Sequence, residues 1–133
     1  MNTMKGVKNF GIGTDIESID RFAEVGCTQD SAFLNKVFTS RELEYCFSRG
    51  TAAPHLAARY AGKEAVVKAL TSVGKANLEY KEIEILNNEN GVPAVRISDA
   101  GFHDLQVYLS LSHCMDKAIA FAVVLEVNHI EED

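Results

Sequence analysis

The segment of residues 52–74, AAPHLAARYAGKEAVVKALTSVG, places the strongest constraint on how this chain can fold. Pro54 suits the first turn of a helix, where its missing N–H would have no partner, and Gly74 suits the left-handed position just past the end. Between them, alanine, leucine, valine and tyrosine occupy nearly every side, a pattern typical of a helix that is buried on most faces. The segment therefore predicts one long central helix.

Four charges interrupt this apolar helix, namely Arg59, Lys63, Glu64 and Lys68. Residues four apart project from nearly the same side of a helix, so they form two i,i+4 pairs. Charges on a buried helix are costly unless they are paired or bound to a ligand. Two interpretations stay open: two structural pairs with their heads in solvent, or a carboxylate and an ammonium held at the edge of a ligand cleft.

The length, composition and net charge of the chain indicate an ordinary soluble domain. With 133 residues, 47% hydrophobic and 24% charged, the chain has material for one core, so we expect a single domain over 1–133 with frayed ends at 1–8 and 128–133. The formal net charge of −6 argues against general binding to nucleic acid or anionic membranes. No membrane-length apolar run, secretory pattern or zinc-type cysteine spacing is visible, so we expect a cytoplasmic protein with reduced thiols.

The segment NFGIGTDI alternates in the manner of a strand with one buried face. We expect that buried face to carry Phe10, Ile12 and Ile16. The other face carries Gly11 and Gly13, where another backbone or a ligand can approach closely. Because the third glycine of the dinucleotide-binding fingerprint is absent, we reject that interpretation of the motif.

Asp15 and Glu17 project in the same direction from the end of this strand, since alternate residues of a strand share a face. Together with Glu64 they form a set of oxygen ligands without a competing Cys or His cluster, so a metal here would be a hard cation, with Mg²⁺ the first choice. Lys68 lies one helical turn from Glu64, with Arg59 and Lys63 nearby, so these residues can supply cations to phosphate groups.

The remaining segments alternate between short helices and strands. They are predicted helices at 18–25, 31–37 and 39–47, a hairpin of strands 78–86 and 92–97, and strands 106–112 and 117–127. Residues 117–127 are apolar on both faces, which is typical of a central strand. The order predicts an α+β domain in which an antiparallel sheet packs against one long central helix with short flanking helices.

Ser112 and His113 end one of these strands, where a hydroxyl and an imidazole can meet a ligand. A structural histidine in a turn is the alternative interpretation. A Cys114 nucleophile with His113 as its base is disfavoured, because adjacent residues of a strand point to opposite sides.

Four motifs follow one another along the chain: GIGTDI at 11–16 followed by Arg21, RYAGKEAVVKA at 59–69, NGVP at 90–93, and LSLSH at 109–113. Together they resemble the holo-acyl-carrier-protein synthases, the short-chain branch of the phosphopantetheinyl transferase superfamily. The resemblance runs from about residue 10 to residue 126. It implies Mg²⁺-dependent transfer of phosphopantetheine from coenzyme A to a serine of an apo acyl carrier protein, with release of adenosine 3′,5′-bisphosphate, in fatty acid or polyketide biosynthesis.

The resemblance also implies roles for individual residues. Asp15 and Glu64 correspond to the metal carboxylates, Lys68 to the lysine at the pyrophosphate, and Arg21 to the docking site for the carrier's acidic helix. Glu17 stands where the larger, monomeric transferases have a third acidic ligand, so both two and three metal carboxylates stay open. Either Glu64 or a metal-bound water would take the serine proton.

The same resemblance implies which residues hold the nucleotide half of coenzyme A. The expected cofactor-binding residues are Arg59, Lys63, Gly91, Pro93, Ser112 and His113. The short-chain branch acts as a homotrimer with sites between neighbouring subunits. This chain departs from the family in having Gly62 where alanine is usual.

Two other functions use the same residues. A Mg²⁺-dependent nucleotide phosphohydrolase would need the same carboxylates and cations. A non-catalytic module that binds carrier protein or coenzyme A would keep the surface but tolerate Glu64→Gln and Lys68→Ala.

Overall fold

The computed structural model describes residues 6–25 and 31–128, and its secondary structure follows the predicted order. The helices are α1 (Ile19–Val25), α2 (Ala32–Val37), α3 (Ser40–Phe47) and α4 (Ala52–Ser72). The strands are β1 (Val7–Ser18), β2 (Ile83–Asn87), β3 (Pro93–Ile97), β4 (Leu105–His113) and β5 (Lys117–Val127), with 3₁₀ turns at Tyr80–Glu82 and Ala100–Phe102. The α+β class is confirmed. Within the described ranges, no helix is long and apolar enough to cross a membrane.

Helix α4 is the central element that the sequence predicts. It places Pro54 in its first turn and ends two residues before Gly74, whose φ of 81° is the left-handed conformation expected there. Leu56, Ala61 and Val66 are fully buried although they lie on different sides of the helix. The prediction of a helix buried on most faces is therefore confirmed.

The strands form two sheets rather than the single sheet predicted. One is antiparallel with the order β1-β5-β4, and β5 is its centre, as its apolar composition predicts. The other is the β2-β3 hairpin alone. The predicted strand 78–86 begins only at Ile83, because Tyr80–Glu82 form a 3₁₀ turn. Lys63 of α4 binds the carbonyls of Tyr80 and Ile83, at the two ends of this turn.

The predicted orientation of β1 is wrong. Phe10, Ile12 and Ile16 are 62%, 55% and 60% exposed, whereas Gly11 and Gly13 are buried against α4. A Cβ atom on Gly13 would lie 2.0 Å from the carbonyl oxygen of Ala65, and one on Gly11 would lie 2.2 Å from that of Ala69. Only glycine admits the helix backbone at this distance, so the glycine face has to be the inner one.

The inner face of β5 continues this close packing with alanines. Ala118, Ala120 and Ala122 are almost completely buried beneath α4. The opposite side of the same sheet is apolar and exposed, and we refer to it as the outer face. It is formed by Phe10, Ile12, Ile16, Ile119 and Phe121.

Residues 6–7 and 127–128, the outermost described residues at the two ends, lie side by side at the ends of β1 and β5. Val7 pairs with Val127, and the backbone N–H of Asn128 donates to the carbonyl of Gly6 at 2.9 Å. The predicted frayed ends therefore do not extend into residues 7–8, and residues 1–5 and 129–133 lie outside the described part. Cys46 and Cys114 are free thiols, as expected, and Cys27 also lies outside the described residues.

Candidate active site

The end of β1 and the middle of α4 bring three predicted site residues together. The ammonium of Lys68 donates to the carbonyl of Thr14 at 2.9 Å and lies 3.5 Å from Oδ1 of Asp15. Glu64 precedes Lys68 by one helical turn, and its charge acts on the carboxyl of Glu17, two residues after Asp15 on β1. The bare glycine face makes this possible, because it lets the strand lie directly on the helix.

The other oxygen of Asp15, Oδ2, is buried and has no hydrogen-bond partner within the described structure. A buried carboxylate oxygen without a donor is costly and commonly marks a place for an ion or water. Negative charge is crowded here, as the neighbouring Glu17 shows. Its pKa is raised to about 7, first by burial and then by the hydrogen bond with Asp15 and the charge of Asp15. The charge of Arg21 lowers the same pKa. The charge of Glu64 adds to the rise. This concentration of carboxylate charge suits a divalent cation.

The donor set fits Mg²⁺ held by few protein ligands. In residues 6–25 and 31–128, no three His, Cys, Asp or Glu side chains converge into a ready-made metal cage. Mg²⁺ typically binds one or two carboxylates and fills its other positions with water and substrate phosphate. Asp15 and Glu64 are suited to that role. Glu17 instead accepts a hydrogen bond from Nη1 of Arg21 at 3.2 Å, so the structure gives it another partner.

Glu64 has a neutral partner rather than a cation. The hydroxyl of Tyr80 donates to Oε1 of Glu64 at 2.6 Å. Burial, followed by this hydrogen bond, raises the pKa of Tyr80 above its ordinary value, so the hydroxyl keeps its proton. Sequence reasoning did not find Tyr80, because a tyrosine at the start of a short turn carries no local signal.

Lys63 is adjacent to Glu64 in the sequence but lies in a separate environment. Its side chain is fully buried, and its ammonium donates to the carbonyls of Tyr80, at 2.7 Å, and Ile83, and pairs with Glu42 at 2.9 Å. Burial lowers the pKa of Lys63, and the charge of Glu42 opposes that effect. An ammonium has three donors, and all three are engaged here. The structure therefore leaves none for the predicted cofactor contact.

Arg59 is also buried, at 3% exposure, and binds the hairpin. Its Nε donates to the carbonyl of Ile85 at 3.2 Å, and its Nη2 donates to Asn87 at 3.3 Å. Its guanidinium carbon lies 4.3 Å from the centre of the Tyr45 ring. The interpretation of Arg59 and Lys63 as a pair with solvated heads is therefore wrong, because both heads are inside the protein.

Arg59 reaches the end of the hairpin that carries Gly91 and Pro93. Pro93 pairs with Asn87, to which Arg59 donates, and Gly91 has the left-handed φ of 79° that the turn requires. Arg59 therefore contacts the strand residue that pairs with Pro93, and the cofactor-binding role of Gly91 and Pro93 stays a prediction.

His113 lies at the end of β4 and connects to Arg59 through a row of rings. The His113 ring is 6.3 Å from that of His55, and the His55 ring is 5.9 Å from that of Tyr45. Burial, followed by the charges of Arg59 and Arg49, lowers the pKa of His55. Ser112 precedes His113 at an exposed position.

The match to a protein-family model agrees with this arrangement. The model of the 4′-phosphopantetheinyl transferase superfamily matches residues 11–124, which include all four sequence motifs. The chain belongs to the 4′-phosphopantetheinyl transferase superfamily. The transferase resemblance seen in the sequence is therefore confirmed at the level of the family.

Individual relatives of the superfamily match over nearly their whole length. A holo-[acyl-carrier-protein] synthase from Chlamydia muridarum is 45% identical over 123 residues, which cover 90% of this chain and 97% of the relative. One from Thermodesulfovibrio yellowstonii is 43% identical over 114 residues, with coverages of 86% and 96%. Among solved structures, the Chronobacterium ammoniagenes ACPS-CoA complex has a TM-score of 0.75 at 28% identity and covers 90% of this chain and 98% of that one. The Helicobacter pylori holo-[acyl-carrier-protein] synthase in complex with coenzyme A has a TM-score of 0.73 at 28% identity, with coverages of 85% and 98%.

Arg21, the predicted docking residue, lies beside Glu17 at the candidate site and is about half exposed. Its guanidinium packs over the rings of Phe33 and Tyr60, at 5.6 and 5.1 Å, in addition to its ion pair with Glu17. The aromatic contacts hold the cation at the surface, where an acidic partner can reach it.

Proposed function

We propose that this superfamily member transfers phosphopantetheine from coenzyme A to a serine of an apo acyl carrier protein, with Mg²⁺, and releases adenosine 3′,5′-bisphosphate. The observation that carries the proposal is the placement of Asp15, Glu64 and Lys68 at one strand–helix contact, with a buried oxygen of Asp15 left without a partner. The expected role in fatty acid biosynthesis and the cytoplasmic location are part of the same proposal. Sequence relatives that carry the holo-[acyl-carrier-protein] synthase name support it.

In this reaction the serine oxygen forms a bond to the phosphorus next to pantetheine, and the bond from that phosphorus to the nucleotide half breaks. Mg²⁺ held by Asp15 and Glu64 supplies polarisation of the pyrophosphate when it is bound. Lys68, fixed by Thr14 and Asp15, neutralises the charge that develops on the leaving phosphate oxygen.

Glu64 is the carboxylate best placed to take the serine proton. Asp15 is paired with Lys68, and Glu17 with Arg21, whereas the described residues provide no cationic partner for Glu64. Its hydrogen bond comes from the neutral hydroxyl of Tyr80, so its charge is not offset by a cation. We assign the serine proton to Glu64.

The nucleotide half of coenzyme A is proposed to bind along Arg59, Gly91, Pro93, Ser112 and His113. Arg59 can supply charge to phosphate groups, and the rings of Tyr45 and His55 can stack on a base. We leave Lys63 out of this set because its three ammonium donors are all engaged by Tyr80, Ile83 and Glu42. Its part in the proposed site is to hold the turn that begins at Tyr80.

The outer face supports a homotrimer with sites between subunits. Apolar residues from two adjacent strands are exposed together there, and large exposed apolar patches mark interaction surfaces. A carrier protein would then dock at Arg21, whose cation suits an acidic helix.

Intact mass spectrometry tests the proposed function directly. We expect an apo acyl carrier protein incubated with this protein, coenzyme A and Mg²⁺ to gain the mass of phosphopantetheine. A chelator and Glu64→Gln should abolish the gain, and Glu44→Gln, at an exposed position of α3, should not. Phosphate release from simple nucleotides would instead indicate the phosphohydrolase. Coenzyme A binding without any mass gain would indicate the binding module.

A further inference from the structure

Tyr80 contacts the transferase carboxylate from a part of the chain that carries none of the four motifs. We infer that Tyr80 is a positioning residue, whose hydroxyl fixes the orientation of Glu64 for metal binding and proton transfer. The inference rests on the proposed function, since it assigns Tyr80 a task in that reaction. It adds a residue to the site that lies sixteen positions after Glu64.

The contact is short and charge-assisted. The hydroxyl oxygen of Tyr80 lies 2.6 Å from Oε1 of Glu64, within the 2.5–2.7 Å range typical of O–H···O⁻ bonds. One carboxylate oxygen is thereby taken by a neutral donor, which adds no positive charge beside the ligand. The carboxylate therefore keeps its negative charge without a compensating cation among the described residues.

The backbone of Tyr80 is held as firmly as its hydroxyl. Lys63 donates to the carbonyl of Tyr80 at 2.7 Å and to that of Ile83, and its charge is paired with the fully buried Glu42. Two consecutive residues of α4 therefore contact the two ends of one residue: Lys63 binds the carbonyl of Tyr80 and Glu64 binds its hydroxyl. This double attachment fixes the phenol relative to the helix that carries the carboxylate.

The Tyr80 ring is also restrained from the side. It packs edge-on against the ring of Tyr60, with 5.7 Å between centroids and an angle of 79° between planes. Tyr60 lies one helical turn before Glu64 on α4. Phenylalanine at position 80 would keep this packing and the backbone contacts and would lose only the hydroxyl.

Removal of a group that hydrogen-bonds to a metal-ligating carboxylate typically lowers metal affinity or activity by about 10–100-fold. We therefore expect Tyr80→Phe to weaken Mn²⁺ binding, measured by calorimetry without coenzyme A, by about tenfold or more. The kcat for phosphopantetheine transfer should fall by a similar factor, with the KM for coenzyme A nearly unchanged. The thermal unfolding midpoint should stay close to that of the wild type.

Tyr108→Phe is the matched control. Tyr108 is 55% exposed on β4, and its hydroxyl donates to Gln106 at 3.2 Å, away from Glu64. Its loss should change neither Mn²⁺ affinity nor kcat. If Tyr80→Phe behaves like this control, or loses thermal stability without losing Mn²⁺ affinity in the folded protein, the inference is overturned. If the wild type itself transfers no phosphopantetheine, the proposed function has failed instead.

Discussion

Lys63 and Glu64 are neighbours on α4, yet they lie in opposite environments. The ammonium of Lys63 is sealed inside the protein and bound by two carbonyls and Glu42, whereas Glu64 faces the end of β1 and has one neutral donor. The same division applies to the charges one turn away. Arg59 binds the hairpin beside Lys63, and Lys68 binds β1 beside Glu64. One side of the helix therefore holds the fold together, and the adjacent side carries the proposed chemistry.

This difference teaches that spacing along a helix determines which charges lie together but not what they do. Their roles are determined by whether their partners are backbone carbonyls of the same chain or groups that are left unsatisfied. Each side can be tested separately, because a change on one side should affect stability and a change on the other should affect catalysis.

The largest effect is expected from Glu42→Gln, on the structural side. It leaves the buried ammonium of Lys63 without its charge partner, and breaking one half of a buried pair typically costs about 3–5 kcal/mol in the free energy of unfolding. Urea denaturation measures this cost. The kcat per folded molecule should stay within about twofold of the wild type. A variant as stable as Glu44→Gln would contradict the structural role of the pair.

A smaller free-energy change, confined to catalysis, is expected from Lys68→Met on the other side. Removal of a cation at a developing charge typically lowers kcat by about 100-fold, which is equivalent to about 2.7 kcal/mol. Stability should change by less than about 1 kcal/mol, because the Lys68 side chain is 56% exposed and its ion pair is long. Lys117→Met, which removes another partly exposed lysine with an ion pair, is the control. Equal kcat values for the two variants would remove Lys68 from the mechanism.

The smallest effect concerns Glu17 of β1 and the pH dependence of the free energy of unfolding. Its pKa in the folded chain is raised to about 7 from an ordinary 4.5, so between these values the folded state holds a proton that the unfolded state releases. The resulting stabilisation is complete below about pH 4.5 and is lost as the pH rises through about 7. His55 acts in the opposite direction, since its pKa is lowered.

Comparison with Glu17→Gln isolates this contribution. Urea midpoints measured with a chelator should fall more steeply with rising pH in the wild type than in the variant. Added Mg²⁺ should reduce the difference between them, because a cation favours the ionised carboxylates. Identical slopes for the two proteins in the chelator would show that Glu17 does not titrate in this range.

Local signals in the sequence predict much of the fold. The predicted helices and hairpin are present, and a capping box of Thr39 and Glu42, with hydrogen bonds of 2.9 and 3.2 Å, begins α3. The orientation of β1 was not predictable from alternation alone. Alternation defines two faces, and it was the 2.0 Å approach of the helix backbone at Gly13 that decided which face is inside.

The site was predictable where its residues lie in motifs and not where it depends on distant contacts. Lys68 lies 3.5 Å from Asp15, and Glu64 lies one helical turn from Lys68 on α4. Lys63 carries the same motif signal, but only its contacts with the carbonyls at 80 and 83 reveal its different role. Tyr80 was missed because its contact with Glu64 joins a loop to a helix.

The contact of Gly11 and Gly13 with α4 also determines how the site can move. No side chain of β1 lies between the two backbones there, so no change of rotamer at this contact can separate them. We therefore expect the strand that carries Asp15 and the helix that carries Glu64 to move together. Any opening or closing of the site during turnover has to come from elements that approach this pair from outside, such as the 3₁₀ turn of Tyr80 or a neighbouring molecule.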